Sequence, residues 1–193
     1  SNVEPLDGYG ESYALLGLFH WGRNVDMSVT PYVEMPDDAA PRRHVVDLDA
    51  LGLGGEWLAY EFWEGRYLGR VSGTLTDEVP SHDGHVIALR RPQKVPQFLG
   101  WNRQLTMGGV LLQEASWDEA SRTLVVRTPV AAPTATAPFT YEIAFHVPAG
   151  FTSSGVESSG VAVRDLTTAM DGEVLRVSFV PEATGDLEIV LRF

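Results

Sequence analysis

Trp57-Leu58-Ala59-Tyr60-Glu61-Phe62-Trp63-Glu64-Gly65-Arg66-Tyr67-Leu68-Gly69-Arg70-Val71 is the stretch that decides the fold class. Residues 57–63 are aromatic-rich and β-favouring, Glu64-Gly65 supplies a tight turn, and residues 67–71 return as the second arm of a hairpin. Reading outward, residues 73–79 and 85–89 continue as strands, separated by the turn cluster Pro80-Ser81-His82-Asp83-Gly84. Upstream, residues 43–48 and 27–33 alternate. Residues 13–19 form an apolar run that ends in the polar turn His20-Trp21-Gly22-Arg23-Asn24. Helix is a poor alternative. Glycines at 52, 54 and 55 stop the candidate over 46–53, and residues 117–122 read better as a polar hairpin turn.

Arg90-Arg91-Pro92-Gln93-Lys94-Val95-Pro96 reads as a linker near the midpoint, because neither proline can donate to a ladder. A second strand series follows over 109–116, 123–127, 139–147, 161–166, 173–179 and 186–193. In the last of these Leu187, Ile189, Leu191 and Phe193 share one face. Residues 129–138 and 152–160, rich in Pro, Thr, Ser and Gly, are expected to be surface loops. Short strands at this spacing predict an all-β fold of two antiparallel β-sandwich modules in tandem, over 1–93 and 94–193.

With 44% hydrophobic and 21% charged residues, the 193-residue chain can bury a real core. Its formal net charge of -12 argues against nucleic acid and against anionic membrane surfaces as partners. Neutral sugars, cations and basic proteins stay compatible. With no cysteine, disulfides, thiolate metal sites and cysteine nucleophiles are excluded, while the compartment is left open. No apolar run approaches the ~20 residues of a membrane-spanning helix. Ser1-Asn2 reads as the scar of a cleaved tag before Val3, which would make the chain an excised piece without a visible targeting signal.

Three stretches of the first half carry a resemblance: residues 15–21 ending in Phe-His-Trp, Asp47-Leu48-Asp49-Ala50-Leu51-Gly52-Leu53, and Tyr60-Glu61-Phe62-Trp63-Glu64-Gly65-Arg66-Tyr67-Leu68-Gly69. Together with the closing His85-Val86-Ile87-Ala88-Leu89-Arg90, they resemble the C-terminal antiparallel β-sandwich of retaining α-galactosidases, the melibiase group of glycoside hydrolases. His20 stands where that family usually carries Asn. The resemblance covers about residues 13–90. It implies a non-catalytic accessory region that packs behind a (β/α)₈ barrel of the same polypeptide. The barrel's two catalytic aspartates have no counterpart here, so no residue inherits a catalytic role. The rival expectation is an independent carbohydrate-binding module.

The residues themselves point to no enzyme chemistry. Asp47/Asp49 and Glu61/Glu64 are the acid pairs available to a glycosidase, and a solvated face or turn explains each. His82-Asp83-Gly84-His85 holds too few ligands for a metal site, and His20 and His146 are expected as satisfied, partly buried histidines. There is no nucleophile elbow and no phosphate-binding loop. No catalytic residue, metal or cofactor is therefore assigned. Of the indoles, Trp57 and Trp63 are expected in the core. Trp101, beside Asn102 and Arg103, and Trp117 are the candidates for stacking on a sugar ring.

Overall fold

The computed structural model describes residues 6–8, 11–21, 25–26, 33–34, 40–103, 105–108 and 111–193. Most of the strand expected over 27–33 lies outside the described residues. The first half contains β1 (Leu6–Gly8), β2 (Glu11–His20), β3 (Val25–Asp26), β4 (Val33–Glu34), β5 (Arg42–Asp47), β6 (Glu56–Glu61), β7 (Arg66–Ser72), β8 (Thr74–Val79) and β9 (Asp83–Arg90). The second contains β10 (Gln97–Trp101), β11 (Glu114–Asp118), β12 (Thr123–Val130), β13 (Tyr141–His146), β14 (Gly155–Gly160), β15 (Val163–Asp171), β16 (Val174–Pro181) and β17 (Gly185–Arg192). Among the described residues there is no helix, and the ladders are antiparallel.

Seven strands of the first half form one sheet in the order β1-β2-β9-β6-β7-β8-β5. The sheet folds over at Gly73, whose φ of +66 suits glycine and whose carbonyl accepts the Leu48 amide at 2.8 Å. Beyond that corner β7 and β8 share only the Ser72–Thr74 pair, and β8 lies across the core from β2 and β9. Ala14, Leu16, Leu18, Trp57, Ala59, Leu75, Val79, Ile87 and Leu89 fill the space between the two layers. In the second half, β10-β13-β16-β15 faces β11-β12-β17-β14 over a core of Phe98, Trp101, Leu124, Val126, Ile143, Phe145, Phe179 and Ile189.

A third cluster joins the halves. Leu58, Tyr60, Phe62 and Ala88 meet Leu99, Met107, Ala144 and Val174. The molecule is therefore a stack of four β layers, and β6 is covered on both faces: every residue from Trp57 to Glu61 is buried. Arg176 ties the layers from the side by donating to the Gly65 carbonyl at 2.5 Å and to the Glu142 carboxylate at 2.7 Å.

Two expectations are corrected. Residues 155–160, expected within a surface loop, form β14 and pair with β17 from Gly155–Arg192 to Gly160–Leu187. Backbone bonding to a strongly alternating neighbour supplies what Ser and Gly lack in propensity. Residues 97–101, outside the strand series expected to begin at 109, form the strand β10, paired with β13 and buried along its whole length.

Candidate functional site

Trp101 does not reach a ligand. Its register opposite Ile143 turns the ring into the second-half core, where it is 0% exposed and meets Phe98 edge-on at 6.5 Å. This corrects the expectation of an exposed ring: Asn102 and Arg103 are exposed, but the ring before them points inward. Trp117 on β11 is half-buried. It is wedged against Phe151 at 5.3 Å and Phe193 at 5.8 Å, and its indole N–H donates to Glu119 at 2.6 Å. Trp57 is in the core as expected, donating to the Leu53 carbonyl at 2.6 Å. Trp63 is not: it is 61% exposed.

A buried carboxylate explains why Trp63 stands out. Glu61, at the end of β6, is fully buried and accepts the backbone amides of Trp63 at 2.9 Å and Glu64 at 2.7 Å. These charge-assisted bonds close the turn and leave the indole outside it. Phe62 packs edge-on against the indole at 4.8 Å, and its amide donates to the Val86 carbonyl at 2.9 Å. The opposite wall comes from the second half. Asn102 is pinned by its side-chain amide donating to the Thr140 carbonyl at 2.9 Å and by its side-chain oxygen accepting the Glu142 amide at 3.0 Å. The Arg103 guanidinium lies over the Phe139 ring at 3.6 Å and, among the described residues, forms no ion pair with a carboxylate. With Leu105 these residues enclose a cleft of about 360 Å³ between the halves. An open indole face, an oriented amide and a guanidinium free of carboxylates are suited to a ligand with an apolar ring face and polar edges.

The titratable groups elsewhere are tied into the framework. His85 is turned inward, its Nδ1 2.6 Å from an Asp77 oxygen, and Arg66 donates to the other Asp77 oxygen at 3.0 Å. Burial alone raises the Asp77 pKa, but the hydrogen bonds from His85 and Arg66 outweigh it and hold the carboxyl below its ordinary value. His85 is 3% exposed, so this pair holds the two layers of the first half together and offers no imidazole to a substrate. Asp83 caps the Gly84 amide at 2.7 Å. Among the described residues no three His, Asp or Glu side chains converge on a metal position.

At the junction of the halves, His146 Nε2 lies 3.3 Å from Arg70 and 3.6 Å from Glu173, with the Tyr67 ring beside it. Burial and then the Arg70 charge depress the His146 pKa, against the pull of Glu173. Burial also pushes the Tyr67 hydroxyl up to about 12. A histidine held below its ordinary 6.5 binds its proton more readily unfolded than folded. Its contribution to stability is therefore complete above about 6.5 and is lost as the pH falls below it. Chemical denaturation between pH 7.5 and 5 should show stability falling on acidification, with a slope of at most about 1.4 kcal/mol per pH unit from this group. His146→Gln should flatten that slope. An unchanged slope would mean another group carries it.

No protein-family model matches the chain, and no curated protein matches it in sequence.

Proposed function

We propose that this chain is a non-catalytic accessory region of a glycoside hydrolase resembling the α-galactosidase group, and that it contacts carbohydrate through the Trp63 cleft. The observation that carries the carbohydrate contact is the 61% exposed indole of Trp63, facing Asn102 and Arg103 across the junction. An indole face matches the C–H face of a pyranose, while the amide and guanidinium match its hydroxyls. The net charge of -12 favours a neutral sugar over an acidic one. The accessory role rests on the resemblance of residues 13–90. In this reading the hydrolysis belongs to a barrel of the same polypeptide.

Two experiments test it. Neutral mono- and oligosaccharides, titrated against the chain by tryptophan fluorescence and NMR, should bind in the micromolar-to-millimolar range. Trp63→Ala should weaken that binding by at least about tenfold with an unchanged melting curve. A chain that binds none of these sugars has no carbohydrate cleft. Chromogenic α-galactosides should be cleaved by the natural polypeptide carrying the barrel and left intact by this chain. Turnover by the chain alone overturns the non-catalytic role. A natural polypeptide that binds sugar but has no barrel makes it an independent carbohydrate-binding module.

A further inference from the structure

Phe19 and Trp21 form a second exposed aromatic surface. Phe19 lies on the face of β2 that carries Leu15 and Gly17 and looks toward the second half, and its cross-strand partner on β9 is Gly84. The ring occupies the space beside both glycines. A Cβ on Gly84 would come within 2.6 Å of it, and one on Gly17 within 2.8 Å. Glycine weakens a strand, so two of them under one ring reserve space for that ring. Trp21 then stacks on Phe19 with centroids 5.6 Å apart and planes 10° from parallel. Its other face is open: Trp21 is 74% exposed and Phe19 50%. Single exposed aromatics are ordinary on a protein surface, but a stacked pair whose inner ring is seated on glycine is a built platform.

The platform is aligned with the Trp63 cleft. β2, β9 and β6 are consecutive strands of the sheet, and the Phe62 amide bonds Val86, two residues beyond Gly84. Phe19 and Trp63 thus mark the same end of the sheet, two strand spacings or roughly 10 Å apart. That is about the length of two linked hexopyranose units. On β9 between them stand Gly84, under the Phe19 ring, and the half-buried Val86.

We propose that Trp21, Phe19 and Trp63 form one track for an extended neutral oligosaccharide of at least four units, in place of a pocket for a terminal monosaccharide. This inference rests on the reading of the Trp63 cleft as a carbohydrate contact. Each indole takes one sugar face, and Arg103 and Asn102 take hydroxyls at the Trp63 end. The high negative charge of the chain disfavours acidic polysaccharides.

The test is a length series: neutral galacto-, manno- and gluco-oligosaccharides of one to six units, titrated against the wild type, Trp21→Ala and Trp63→Ala, each checked for an unchanged melting curve. Wild-type affinity should rise with length up to four or five units. Trp21→Ala should cost roughly five- to tenfold with the hexamer and nothing with the disaccharide. Trp63→Ala should weaken both. Affinity independent of length, or a hexamer indifferent to Trp21→Ala, overturns the track while leaving the Trp63 cleft intact. Binding indifferent to Trp63→Ala overturns the cleft and the track with it. If no oligosaccharide binds and sedimentation shows self-association that Trp21→Ala abolishes, the aromatic row is a protein contact and the track is overturned.

Discussion

Replacing Arg90 with alanine should destabilise the protein by about 3–5 kcal/mol, among the largest effects of any single substitution. Arg90 ends β9 with 1% exposure, paired in register with Tyr13 on one side and Leu58 on the other. Its side chain crosses from the sheet of the first half to the second. Nε donates to the Leu99 carbonyl at 2.8 Å and Nη2 to the Met107 carbonyl at 2.6 Å. The guanidinium plane lies 4.4 Å from the Tyr13 ring centroid and 4.8 Å from that of Phe98. Truncation leaves two buried carbonyls without these donors, at about 1–3 kcal/mol each, and opens a cavity between two aromatic rings. Arg90→Met keeps the stem and isolates the hydrogen-bond loss. Arg90→Lys supplies one ammonium where a planar fork reached two carbonyls, and should recover only part of the stability. Chemical denaturation checks the series. A loss under about 1 kcal/mol for Arg90→Ala would mean that the apolar interface holds the halves together without it.

Arg90 also shows where sequence reading stops. It opened the apparent linker, and a charged residue beside a second arginine and a proline reads as solvated. Nothing local announces that loop residues 105–108 and β10 will close over it. Alternation was a good guide wherever one face is covered. It placed β8, with Leu75 and Val79 inward, and β17, with Leu187, Ile189 and Leu191 inward. The turn at Asp118, where the carboxylate accepts the Ala120 and Ser121 amides, was equally legible. Alternation fails for β6 and β10 because both their faces are buried, and for β14 because serine and glycine carry no pattern. It names the face of an indole but not whether a distant segment covers that face. Trp63 and Trp101 therefore exchanged roles. One local signal did point to Trp63: an indole directly before a Glu-Gly turn stands where the chain leaves the sheet. Asn102 and Arg103 are exposed, but the indole that opens beside them comes from the other half of the chain.

The exchange of roles between the two indoles predicts opposite behaviour on substitution. Trp101→Ala should cost about 3–5 kcal/mol, because a fully buried indole leaves a void that Phe98, Ile143 and their neighbours can only partly fill. Trp63→Ala should shift stability by no more than about 0.5 kcal/mol, since the turn beneath it is held by Glu61 through backbone amides. The conservative change at 101 sharpens the argument. Among the described residues the buried Trp101 indole nitrogen has no hydrogen-bond partner, a burden of about 1–3 kcal/mol that phenylalanine removes. Trp101→Phe therefore loses volume but sheds an unpaired donor, and should cost about 1 kcal/mol or less. Denaturant titration of the three variants decides. The ordering Trp101→Ala far below wild type, with Trp101→Phe and Trp63→Ala near it, fits a core ring and a surface ring. If Trp101→Ala melts like the wild type, its indole is not in the core, and the open indole beside Asn102 and Arg103 is Trp101 after all.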